Sequence, residues 1–105
     1  MKTKFIVSLA ALLALMMSVP TAASAVGKTC GGFAGLPCGA GEFCQHRPGQ
    51  CGWFDQTGTC AKMPRFCPQI TGPRLVVCGC NGQTYFNDCA RQQAGVSLAH
   101  KGKCQ

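Results

Sequence analysis

The chain has 105 residues, ten of them cysteine and only three acidic, and its formal net charge is +7. That cysteine density in a short chain points to a disulfide framework and argues against a metal or redox centre. The basic residues are scattered and form no block, so nothing points to nucleic acid; they read as a solvated surface with some attraction for acidic partners.

The chain opens with the cationic Met1-Lys2-Thr3-Lys4, an apolar run from Phe5 to Met17, and the box Ala23-Ser24-Ala25. These are the parts of a secretory signal peptide, residues 1–25, cut after Ala25. The run stops near Pro20, short of the roughly 20 residues that span a bilayer. The expectation is therefore a secreted protein, extracellular or periplasmic, with no membrane contact after cleavage. Loss of Lys2 and Lys4 lowers the charge from +7 to +5. The mature chain, residues 26–105, has few large apolar side chains and cannot fill a core without staples. Each native bridge adds about 2–4 kcal/mol, not additively. A monomer is expected.

Residues 26–59 read as a loop-rich, cysteine-rich subdomain. Cys30, Cys38, Cys44 and Cys51 stand among glycines, with prolines at 37 and 48, which leaves little room for regular structure. Short strands are expected around Glu42-Phe43-Cys44 and Gly52-Trp53-Phe54. Arg47-Pro48-Gly49 is a turn, and Trp53-Phe54 reads as cover for the disulfides or, alternatively, as a docking patch. Asp55-Gln56-Thr57-Gly58-Thr59 is the expected hinge to a second domain, residues 60–105.

In that domain Cys78-Gly79-Cys80-Asn81-Gly82-Gln83-Thr84-Tyr85-Phe86-Asn87-Asp88-Cys89 is the most informative stretch. Asn81-Gly82 suits a two-residue type I′ turn, since both residues tolerate positive φ. Thr84, Tyr85 and Phe86 are good strand formers. Asn87 and Asp88 offer oxygens to cap a helix running through Ala90–Ala94, and Gly95 suits its left-handed close.

The same stretch resembles the signature of Kazal-type serine protease inhibitors at Cys78, Gly79, Asn81, Gly82, Thr84, Tyr85, Asn87 and Cys89, with Gly102-Lys103-Cys104 as a matching end. The resemblance implies a small disulfide-rich fold, a Kazal-like short β-hairpin plus one short α-helix, behind the loop-rich N-terminal subdomain. It implies a secreted inhibitor of a serine protease, trypsin-like or subtilisin-like, that needs no cofactor. The segment between Cys67 and Cys78 becomes the arm shown to the enzyme. By the same resemblance Pro68, Gln69 and Ile70 form the reactive segment, with Gln69 in the specificity pocket.

The arm exceeds the family's usual length, the surplus falling at Thr71-Gly72-Pro73, after which Arg74-Leu75-Val76-Val77-Cys78 resumes the expected strand. Arg74, the cation of the arm, is the rival for the pocket. Asn87, with Tyr85, is implied to brace the loop. The resemblance implies the pairs Cys67–Cys89 and Cys78–Cys104. Arg91, Gln92 and Gln93 stand where the family has a helix cysteine, so Cys60–Cys80 is expected to replace that link, leaving Cys30, Cys38, Cys44 and Cys51 to pair among themselves. The N-terminal spacing loosely resembles the modules beside Kazal domains in follistatin-like and growth-factor-binding proteins, a likeness that carries no binding residue.

Catalysis is not expected. The mature chain has one serine, Ser97, two histidines, His46 and His100, and the carboxylates Glu42, Asp55 and Asp88. Ser97 and His100 would face opposite sides of a final strand, with no third group to orient the histidine. Oxidised cysteines and two remote histidines make no metal site. The alternative function is a non-inhibitory extracellular binding module. A basic membrane-active peptide ranks last, because no amphipathic helix of useful length is present.

Overall fold

Apolar and polar residues alternate only over short spans in this chain, and the strands are correspondingly short. The computed structural model describes residues 23–52 and 55–105. Residues 1–22 of the expected leader, and Trp53 and Phe54 of the strand expected around Gly52-Trp53-Phe54, lie outside the described residues.

The fold is small and disulfide-rich, with two three-stranded antiparallel sheets and one short helix. In the first sheet β3 (Thr57–Lys62) runs between β1 (Thr29–Gly31) and β2 (Glu42–Gln45). Thr57-Gly58-Thr59 is therefore not a hinge but the start of the central strand, facing Gly31, Cys30 and Thr29 in register. In the second sheet β4 (Val77–Gly79) lies between β5 (Thr84–Tyr85) and β6 (Leu98–Lys101). β4 begins only at Val77, because Leu75 turns back to donate its N–H to the Gly72 carbonyl at 3.0 Å.

The β4–β5 connection is a correction to the expected type I′ turn. Asn81 does not take positive φ; only Gly82 does, at 80°. The Gly82 N–H closes on the Gly79 carbonyl at 2.9 Å and the Gly79 N–H on the Gln83 carbonyl at 2.9 Å. This is the three-residue loop in which an ordinary turn is followed by one left-handed residue, so only its last residue, Gly82, needs to be glycine. Gly79 is required for space, since a Cβ there would meet Asn81 Oδ1, Val96 Cγ1 and Tyr85 Cε2 at 2.7–2.9 Å.

Helix α1 (Asp88–Gln93) starts where the Asn87 side chain accepts from the Ala90 N–H. It stops in a Schellman arrangement: the Gly95 N–H reaches Gln92 O and the Val96 N–H reaches Arg91 O.

Five disulfides join all ten cysteines. Cys67–Cys89 and Cys78–Cys104 form as the resemblance implied. Cys60–Cys80 does not. Cys60 sits in β3 opposite Cys44 and bonds Cys38, while Cys80 bonds Cys51. The four N-terminal cysteines thus do not close among themselves; only Cys30–Cys44 is internal to them. Cystine sulfur fills much of the interior: Cys30, Cys60, Cys67 and Cys78 are buried together with Phe43, Val77 and Tyr85.

The Cys51–Cys80 bond carries the N-terminal half onto the second sheet, and hydrogen bonds extend the seam. The Gly49 N–H, at the tip of the Arg47-Pro48-Gly49 turn, donates to the Leu98 carbonyl. Buried Ser97 takes the His46 N–H and gives its own proton to the Cys44 carbonyl.

Candidate functional site

The arm between Cys67 and Cys78 is exposed from Pro68 through Thr71. Its entry is tied down twice: Cys67 is buried and bonded to Cys89 on α1, and Gln93 of the same helix donates to the Arg65 carbonyl at 3.0 Å. Its exit is the central strand β4, whose Cys78 bonds Cys104, and the Cys104 N–H reaches Thr84 Oγ1 at 2.9 Å. An exposed segment with both ends fixed has few conformations to lose on binding.

Asn87 acts on the middle of the arm. Its Nδ2 donates to the Pro68 carbonyl at 3.2 Å and to the Ile70 carbonyl at 2.9 Å, while its Oδ1 accepts from the Ala90 N–H at 2.8 Å. One amide therefore caps the helix and holds the backbone on both sides of Gln69. The group is 8% exposed, which shelters these bonds from water. Tyr85 is buried, and its hydroxyl accepts from Asn81 Nδ2 at 2.9 Å, inside the hairpin. The hydrogen bonds to carbonyls 68 and 70 come from Asn87.

Gln69 is exposed between the two held carbonyls, with Ile70 after it at 56% exposure and Phe66 before Cys67 at 84%. Arg74 is brought elsewhere. It lies in the turn before β4 and lines a cleft with Leu75, Val77, Asp88, Leu98 and Lys101.

Beneath the brace lies a buried charge that the sequence reading did not single out. Arg91 is 3% exposed and faces Asp88 through Nε at 2.7 Å and Nη2 at 3.1 Å. Its remaining protons go to the Val96 carbonyl and, from both Nη atoms, to Gln45 Oε1 on β2. Arg91 hydrogen bonding, helped by Gln92, holds the Asp88 carboxyl below its usual range against the opposing effect of burial. The Asp-x-x-Arg spacing on a helix was the available signal; Gln45, on the other sheet, had none.

Ser97 meets His46 across the halves at 3.4 Å rather than His100. The serine proton is already given to Cys44, and the far histidine nitrogen faces the Gln56 carbonyl at 3.2 Å, so the pair is a strut, not a nucleophile and its base. The sulfurs of Cys30, Cys38 and Cys60 cluster within 4.8 Å, but they belong to two disulfides and hold no thiolate for a metal.

Among the described residues no helix is long and apolar enough to cross a membrane. The family model of the Kazal-type serine protease inhibitor domain matches residues 62–104. None of the curated proteins compared with the chain matches it.

Proposed function

We propose, from the premise that residues 62–104 belong to the Kazal-type serine protease inhibitor domain family, that the protein is a secreted inhibitor whose substrate-like segment is the arm between Cys67 and Cys78. Gln69 enters the enzyme's specificity pocket, and Gln69–Ile70 is the reactive bond.

The observation that carries this reading is the grip of Asn87 on the carbonyls of Pro68 and Ile70. An inhibitor of this kind gives the protease a bond it can attack but cannot leave. Cleavage yields a free carboxyl end and a free amine. If both stay where they were, religation competes with hydrolysis and release. Asn87 holds the backbone carbonyls of the residues before and after Gln69. Cys67–Cys89 and Cys78–Cys104 keep the wider ends from separating. Interfaces of this class bury roughly 1,600 Å² in total and form with little backbone change.

Gln69 is neutral and polar, which disfavours trypsin-like pockets built for a cation and suits broad or polar, subtilisin-like ones. Arg74, turned into the flanking cleft, lacks the two-sided hold on its neighbours. Five disulfides fit an oxidising compartment and, with the leader-like start, an exported protein.

The test is a panel of trypsin-like and subtilisin-like proteases against the oxidised, leader-free protein. Tight inhibition of a subtilisin-like enzyme, weakened by substitution of Gln69 and not of Arg74, is expected. Inhibition of none would leave an extracellular binding module instead.

A further inference from the structure

Next to the arm, past residue 70, the chain forms a cleft of about 360 Å³ lined by Arg74, Leu75, Val77, Asp88, Leu98 and Lys101. Leu75, Val77 and Leu98 give it an apolar lining, and Leu75 is 41% exposed. Its single carboxylate is already engaged on both oxygens: Asp88 Oδ1 takes Arg91 Nε, and Oδ2 takes Arg91 Nη2 and Gln92 Nε2. Among the described residues Arg91–Asp88 is the only ion pair. Arg74 and Lys101 are therefore exposed cations beside an apolar wall with no anion left to answer them.

The cleft is continuous with the arm. Arg74 and Leu75 belong to the same segment between Cys67 and Cys78, and Asp88 follows Asn87 directly. A protease closing over residues 68–70 covers about 800 Å² on this side alone, an area wider than those three residues.

We infer that the cleft is a second docking surface for the same protease, accepting a segment of its rim that pairs a carboxylate side chain with an aliphatic one. The aliphatic group packs on Leu75, Val77 and Leu98, and the carboxylate meets Arg74 and Lys101. The inference rests on the inhibitor reading and narrows it: among enzymes whose pocket accepts Gln69, those with an acidic rim on the leaving-group side are captured fastest, because paired opposite charges chiefly raise the association rate.

The test uses the oxidised chain and an inhibited protease from the panel. Lys101→Glu lies outside the arm, and Lys28→Glu makes the same net-charge change on the N-terminal half. The expected result is association slowed about tenfold by Lys101→Glu at low salt, little change from Lys28→Glu, and convergence of the two near 1 M salt, where screening is short-ranged. Equal rates for the two variants would overturn the inference while leaving the Gln69 reading intact. Should no protease be inhibited, the inhibitor reading fails and the inference falls with it.

Discussion

Asn87 donates its side-chain amide to the Ile70 carbonyl at 2.9 Å while the same side chain caps α1, so the arm and the helix share one anchor. The two roles use different atoms and can be separated. Asn87→Asp keeps an oxygen for the Ala90 N–H but loses both donors to the arm. Asn87→Ala loses everything, at about 1 kcal/mol for the cap and about 1 kcal/mol for each hydrogen bond. Thermal unfolding should show Asn87→Asp no more stable than Asn87→Ala, because the second carboxylate oxygen faces the Pro68 and Ile70 carbonyls with no proton between them. Both should be cleaved within the arm about tenfold faster than the parent, a rate readable by mass spectrometry.

The Cys51–Cys80 bond closes a separation of 29 residues and joins the two halves. Replacing both cysteines by serine should lower unfolding free energy by about 2–4 kcal/mol in a denaturant titration. A non-reducing peptide map of the parent should recover the peptide holding Cys51 linked to that holding Cys80. Recovery of Cys60 with Cys80 would restore the pairing implied by the resemblance.

How much of this was legible in the sequence follows from the range of each interaction. The hairpin and α1 depend on neighbours: Thr84-Tyr85, the Asn87 cap and the Gly95 close are each decided within a few residues. The type of the β4–β5 turn was misread because Asn81 tolerates positive φ without requiring it, and here its side chain instead takes the Gln83 N–H and reaches the Tyr85 hydroxyl. Strand β3 was hidden because Thr57-Gly58-Thr59 carries no apolar alternation; its pairing comes from β1 and β2 on either side. The cysteine partners were least legible. Cys80 fits a link to Cys60 as well as one to Cys51 by spacing, and only the packing of the first sheet, which commits Cys60 to Cys38, decides. The placing of Asn87 against Pro68 and Ile70 agrees with what the family resemblance implied, and composition or spacing alone held no sign of it.

Arg91 binds the halves through a buried guanidinium, so removing it should cost more than an exposed ion pair would. Arg91→Met leaves Gln45 Oε1 and the Val96 carbonyl without donors and should lose on the order of 3 kcal/mol, since it breaks a buried pair. Gln45→Ala should lose about 1 kcal/mol. A double-mutant cycle read by denaturant unfolding should show coupling between the two positions, because they share one hydrogen-bonded contact.

Acid should weaken the same contact. The Asp88 carboxyl is held below its ordinary value mainly by Arg91, so it contributes stability that is fully present above the unfolded value of about 3.9 and is lost as pH falls through the lower folded value. Glu42, lowered first by the Gly39 N–H, acts in the same direction. The thermal midpoint of the oxidised protein should therefore drop below about pH 4. Asp88→Asn should reduce that drop without abolishing it.

The central claim is that the enzyme attacks between Gln69 and Ile70 and is then held there. Its most direct test is prolonged incubation of the oxidised protein with a trace of an inhibited protease, followed by reduction and mass spectrometry. The account predicts one slow cut, giving fragments that end at Gln69 and begin at Ile70. A cut after Arg74, or rapid cutting at several bonds of the arm, would contradict it.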